Sequence, residues 1–156
     1  MHSYFRNEEA TEECLIPSDD GKGSWLDTGD MGYMREDGYL RFLGRYKDML
    51  KVGVENVAAS EIETVVMQTG LVGECAVVGQ KHHMLDEVPV VFVIPSPTGA
   101  ELGSDELEQK IIEHCRGNLP DFKVVRSVHV VEELPRSTLE KIAKNVLRDR
   151  LPAIEE

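Results

Sequence analysis

The sequence predicts an α+β fold: a small three-stranded sheet with helices packed on it, preceded by a β-hairpin. Three observations predict it. Two apolar, β-branched runs, Glu74–Gly79 and Val88–Ile94, have the length and composition of buried strands, and Ser127–Glu132 (SVHVVE) supplies a third. Between them, Leu107, Ile111, Ile112, Cys115 and Leu119 recur at helical spacing, while Glu106, Glu108, Gln109, Lys110 and Glu113 fall on the opposite face. Ahead of them, Met31–Leu43 alternates around Arg35-Glu36-Asp37-Gly38, a turn with Asp-Gly at its end.

Taken in order, residues 1–30 hold one turn of helix around Glu8–Cys14 and then an exposed loop, Ser18–Ser24. Gly21-Lys22-Gly23-Ser24 is not a phosphate loop, because that pattern places glycine directly before the lysine and a hydroxyl residue directly after it. After the hairpin, Gly44-Arg45-Tyr46-Lys47-Asp48 sets a permissive backbone point beside two cations and an acid. Met49–Val52 is a short strand that Gly53 breaks, and Asn56 suits a turn. Ser60 and Glu63 form an S-x-x-E capping box that opens a helix over Ser60–Thr69, closed by Gly70. Gln80–Glu87 is expected to be the loop between the central strands. Pro95, Pro97 and Gly99 end the second of them, Ser104 caps the next helix and Pro120 stops it. A last helix is expected over Ser137–Arg150, with Leu139, Ile142, Val146 and Leu147 on one face.

Charge and composition narrow the function. A formal net charge of −12 at pH 7 argues against a nucleic-acid-binding module, which needs clustered cations. The three cysteines make no C-x-x-C, and Cys75 and Cys115 are expected to be buried free thiols. His82-His83 are adjacent in the chain and do not converge on a metal without further ligands, so no metal site is expected. With no targeting segment and no apolar run of membrane-spanning length, the protein is expected to be soluble and cytoplasmic.

The run Gly44–Glu63, GRYKDMLKVGVENVAASEIE, follows Asp27-Thr28-Gly29-Asp30 and precedes Leu134–Lys141, LPRSTLEK. These three ordered motifs resemble the AMP-forming adenylating enzymes: acyl-CoA synthetases, peptide-synthetase adenylation domains and firefly luciferase. The resemblance covers nearly the whole chain but only the last part of the family's chain. The large domain, with its Ser/Thr/Gly-rich nucleotide loop and acyl pocket, is missing. It implies that residues 1–46 are the tail end of that large domain, contributing the β-hairpin extension, and that residues 47–156 are the mobile C-terminal domain.

The resemblance also implies roles. Lys141 matches the lysine that reaches into the large domain during adenylation, where its ammonium offsets the charge of a carboxylate attacking an α-phosphate. Asp30 matches the aspartate that accepts from the ribose hydroxyls of ATP or AMP, with Arg45 beside it; as a bare motif, T-G-D also fits an Asx-type turn. Lys47 matches the hinge residue, and Gly53 the glycine lining the pantetheine tunnel, where Val54 replaces a second glycine. Lys51 is a secondary catalytic candidate. Lys123 and Arg126, with Arg136, Lys141 and Lys144, form a basic stretch that either meets the phosphates of coenzyme A or balances Glu132 and Glu133 as solvated surface. Glu140 stands where the family has glycine. It either caps the last helix with Ser137 or costs the loop its freedom and sets a carboxylate beside Lys141.

The function so implied is that of a C-terminal portion of an acyl-CoA synthetase, of the kind used in fatty acid metabolism. Such an enzyme converts a carboxylic acid, ATP and coenzyme A to acyl-CoA, AMP and pyrophosphate, with magnesium held by the large domain. Alone, the chain is expected to be inactive. The alternatives are a detached small domain that binds or regulates a partner, and part of a peptide-synthetase adenylation domain, which G-V-E-N-V fits less well.

Overall fold

A computed structural model describes residues 2–138 and 140–154. The chain divides into two compact units, Met1–Lys47 and Asp48–Glu156.

In the first unit, helix α1 (Glu8–Cys14) starts where the Asn7 side chain accepts from the Ala10 N–H. Two separate antiparallel pairs follow: β1 (Leu15–Pro17) with β2 (Ser24–Leu26), and β3 (Asp30–Met34) with β4 (Leu40–Arg45). The second pair is the expected hairpin, with a register shift between Met31 and Gly32. Among the described residues of this unit none is buried. A short 3₁₀ turn, Tyr46–Asp48, spans the division between the units.

The second unit is built on a sheet that holds five strands among the described residues, two more than expected. They are β5 (Met49–Val52), β6 (Glu55–Ala58), β7 (Val72–His82), β8 (Asp86–Pro95) and β9 (Val128–Val130), in the order β6-β5-β8-β7 with β9 pairing β8 in parallel. β7 and β8 form one long hairpin, in register from Glu74↔Ile94 to His82↔Asp86. Most of the expected 80–87 loop is therefore strand, and only His83, Met84 and Leu85 turn the chain.

Side chains on a strand alternate between faces, and both faces of this sheet are covered. Cys75, Val77, Val91 and Val93 pack under α2 (Ala59–Met67) and α4 (Ser104–Asn118), with Ile62, Val66, Leu107, Ile111 and Cys115. Ala76, Val78, Val90 and Phe92 face the other way, against Leu134 and Leu147. This double coverage explains why the strands read as unbroken apolar runs. A single turn, α3 (Pro97–Ala100), follows β8, and its Ser96 cap accepts from the Gly99 N–H.

Three helix expectations are corrected by packing. α2 begins at Ala59, its N-cap is Ala58, and no side chain caps it. Glu63 turns sideways instead, accepting from the Val77 N–H at 2.8 Å and pairing with Lys144 at 2.7 Å. A half-buried carboxylate gains more from an amide and an ammonium than from capping a solvated end. α4 takes Gly103, not Ser104, as its cap. The last helix, α5, is only Lys144–Arg148; Leu147 is buried, Val146 is exposed, and Leu139 lies outside the described residues.

Candidate active-site segments

In the first unit, Asp30 and Arg45 stand directly opposite one another on β3 and β4, and Arg45 Nε lies 3.2 Å from Asp30 Oδ1. Behind them Gly29 N–H donates to Asp27 Oδ1 at 2.8 Å and Asp30 N–H to Thr28 Oγ1 at 3.2 Å. The T-G-D stretch is thus a side-chain-closed turn that also presents a carboxylate. Both partners of the pair are well exposed, leaving an Asp30 oxygen available to accept. Lys47 lies within the 3₁₀ turn.

In the second unit, Lys51, Gly53 and Val54 sit on the β5–β6 hairpin. Gly53 has φ +60, which an L side chain adopts only with strain, and its N–H donates to Leu85 O at 2.8 Å. A Cβ there would meet only Leu85 Cδ2 at 3.8 Å, so the backbone, not crowding, makes this position glycine. Val54 is fully in solvent, at 99 % exposure. Lys51 lines a cleft of about 630 Å³ with Lys81, His82, His83, Asp86, Glu87 and Ile154. The Lys51 N–H donates to Glu87 Oε2 at 2.9 Å, tying β5 to β8 where the two strands share the single register pair Val52↔Asp86. Glu87 lies flat over Gly79, whose Cβ, if present, would fall 2.5 Å from that carboxylate. The His82 and His83 rings stack at 4.7 Å, and among the described residues no group of three or more His, Cys, Asp or Glu is placed to hold a metal.

Lys141 is on a turn, not in a helix. The described residues on either side of position 139 form a tight reversal closed by Ser137 N–H to Lys141 O (2.7 Å), Glu140 N–H to Ser137 O (2.9 Å) and Ala143 N–H to Pro135 O (2.7 Å), with Arg136 bridged to Ile142. Glu140 has φ +62, so it cannot be the helical third residue of a capping box with Ser137; it occupies the left-handed position that ends a tight hairpin turn. Lys141 follows at once, exposed, and among the described residues its ammonium makes no ion pair.

The basic stretch is largely neutralised. Lys123 contacts both oxygens of Glu61, at 2.8 and 2.7 Å, Arg136 meets Glu74 at 2.6 Å and Lys144 meets Glu63 at 2.7 Å. Arg126 instead opens onto a cavity of about 280 Å³ shared with Arg116 and Asp121. Glu61, Glu74 and Glu87 escaped the sequence reading, and Glu63 was given a different role, because each partner lies well away along the chain. The one available signal is a glutamate at the start of a buried strand, as at Glu74.

Burial pushes the Cys75 thiol from the ordinary 9.0 up to about 12, with the nearby Glu63 charge adding to the effect. Burial also raises Cys115. Neither thiol is suited to nucleophilic work at neutral pH.

The family model for the AMP-binding enzyme C-terminal domain matches residues 61–141, from the first turn of α2 to Lys141. The chain belongs to the AMP-binding enzymes. Within this family it is 36 % identical over 155 residues to the peroxisomal benzoate–CoA ligase of Arabidopsis thaliana, covering 96 % of this chain and 26 % of that one. It is 35 % identical over 148 residues to the 2-succinylbenzoate–CoA ligase of Bacillus cytotoxicus, covering 95 % and 28 %. Among solved structures, the anthranilate CoA ligase AuaEII in complex with anthranoyl-AMP superposes with a TM-score of 0.80 at 34 % identity, covering 95 % of this chain and 27 % of that one. The AMP-binding C-terminal domain accounts for the α+β fold, and the chain spans about a quarter of the length of these relatives. No helix among the described residues is long and apolar enough to cross a membrane.

Proposed function

We propose that this chain supplies the C-terminal domain of an AMP-forming acyl-CoA synthetase. The observation that carries the reading is an exposed lysine on a closed turn, without an ion pair among the described residues, at the end of the family match, in a chain that matches CoA ligases over 95–96 % of its length. In the first half-reaction a carboxylate oxygen attacks the α-phosphorus of ATP and pyrophosphate leaves. Two anions approach, and the Lys141 ammonium offsets the charge that develops between them. In the second, the coenzyme A thiol attacks the acyl carbonyl and AMP leaves.

Asp30 accepts from the ribose hydroxyls while Arg45 orients its carboxylate, and rotation about Lys47 exchanges the Lys141 turn for the β5–β6 hairpin, where Lys51, Gly53 and Val54 would line the thiol's path. Lys123 is committed to Glu61, so Arg126 and its neighbour Arg116 are the better candidates for the phosphates of coenzyme A. Magnesium would enter with ATP, held by the large domain that is also this chain's partner. The cytosol is the proposed place of action, with the peroxisome, which appears in the names of several relatives, as the competing location, and fractionation separates the two.

A detached module that has lost catalysis is the second reading, and Glu140 is the residue that raises it. Its φ of +62 disfavours that reading, because the backbone holds the shape that glycine would take, at a cost of about 1–2 kcal/mol.

The test uses the full-length protein and assays each half-reaction separately. Lys141→Ala is expected to lower pyrophosphate exchange by roughly two to three orders of magnitude and spare acyl transfer from preformed adenylate. Gly53→Leu should do the reverse. Because Gly53 has a positive φ, Gly53→Asn is the control that separates backbone strain from blockage: it tolerates the conformation and should lose less. Equal loss of both activities in Lys141→Ala and in Gly53→Leu would sink the proposal.

A further inference from the structure

Arg136 is engaged by both arms of its guanidinium. Nη2 meets Glu74 Oε1 on β7 at 2.6 Å, and Nη1 donates to the backbone carbonyl of Glu140 at 3.0 Å. Glu140 is the left-handed residue immediately before Lys141. One planar fork therefore ties the most strained point of the turn to the sheet.

The tie matters because of what flanks it. Leu134 and Leu147 are buried against the sheet, and Ile142 is partly buried with them. Between Leu134 and Ile142 the described residues Ser137, Thr138, Glu140 and Lys141 are exposed. Side-chain packing thus fixes the two ends of the segment, and the turn itself depends on its backbone bonds and on Arg136. The Arg136–Glu74 pair is between a third and a half exposed, so it adds little to global stability. Placement is a different matter, since a displacement of about 1 Å at a catalytic group can cost roughly a hundredfold in rate.

We propose that Arg136, seated on Glu74, is a positioning residue that holds the Lys141 turn in one geometry on β7. The proposal rests on the assignment of Lys141 to adenylation. Arginine suits the role better than lysine, because its planar fork holds one donor toward the carboxylate and another toward the backbone carbonyl in a fixed geometry.

The experiment compares Arg136→Lys, Glu74→Gln and Lys141→Ala in the full-length protein by hydrogen exchange and by the two half-reactions. In Arg136→Lys and Glu74→Gln, the amides of Ser137, Glu140 and Ala143 should exchange about tenfold faster, with Val91 and Val93 unchanged as the control for folding. Pyrophosphate exchange should fall roughly ten- to a hundredfold in kcat, with the KM for ATP and acyl transfer from preformed adenylate little altered. Glu140→Gly in the Arg136→Lys background should restore part of the loss, since glycine takes the left-handed conformation without strain. Unchanged exchange at the three amides overturns the clamp, and so does faster exchange with full adenylation activity when Lys141→Ala is inactive. If the amides loosen but Lys141→Ala itself retains pyrophosphate exchange, the clamp stands and the role given to Lys141 fails.

Discussion

The two units of this chain treat apolar residues in opposite ways. Seven of its nine aromatic side chains, Tyr4, Phe5, Trp25, Tyr33, Tyr39, Phe42 and Tyr46, lie in Met1–Lys47, and all are exposed, Phe5 at 86 % and Trp25 at 69 %. Among the described residues, every buried hydrophobic side chain lies at Leu50 or beyond, and most are valine, isoleucine or leucine. The difference teaches what a sheet needs. A five-stranded sheet covered by helices on one face and by α5 and its approach on the other can bury β-branched side chains completely, whereas isolated two-stranded pairs have no second layer to bury them against. Under the proposed function, the large domain supplies that layer.

The sharpest way to break the comparison is hydrogen exchange on this chain alone. Amides of Val77, Val91 and Val93 should be protected at least about a thousandfold more than those of Tyr33 and Phe42, given the few kcal/mol typical of a small folded domain and the marginal stability of a lone hairpin. Equal protection would mean that Met1–Lys47 folds with a core of its own.

A pair of truncations gives the next effect. Ile62, fully buried on the sheet-facing side of α2, should cost about 2–5 kcal/mol as Ile62→Ala, while Phe42→Ala should change global unfolding by no more than about 0.5 kcal/mol. Urea denaturation of the two variants measures both, and a comparable loss at Phe42 would contradict the absence of burial there.

Per pH unit, a smaller effect comes from the thiols. Cys75 in the folded chain titrates near 12 against an ordinary 9.0, so above pH 9 the unfolded chain releases a proton that the folded chain keeps. Stability should therefore fall as pH rises from 9 toward 12, by at most about 1.4 kcal/mol per pH unit from this group, and Cys75→Ala should flatten that slope. Cys14, only partly buried in the first unit, should be alkylated well before Cys75 and Cys115. A flat profile in the parent chain would show that Cys75 is more hydrated than its burial implies.

Strands and the long helix were legible because their signals are local. Val88–Ile94 is apolar and β-branched, and Leu107, Ile111 and Cys115 keep helical period, so length and spacing suffice. The burial of Cys75 and Cys115 followed from the same patterns. The S-x-x-E boxes misled for one physical reason. A capping box describes what Glu63 or Glu140 can do within one turn, yet Glu63 found Val77 N–H and Lys144, and Glu140 took a left-handed conformation. Short-range propensity yields where a stronger partner or a tighter turn is available.

By itself the sequence determined the α+β class and the buried strands, because apolar periodicity and turn chemistry act over a few residues, whereas Asp30, Arg45, Gly53 and Lys141 were singled out by the resemblance of their motifs to a family. Tertiary structure alone decided that both sheet faces are covered, that most of 80–87 is strand, and that Lys141 stands on a reversal held by Arg136. The contacts responsible, Arg136 with Glu74 and Lys144 with Glu63, join residues distant in the chain that only the folded sheet brings within 3 Å. Their geometry depends on where β7 and α2 have already packed.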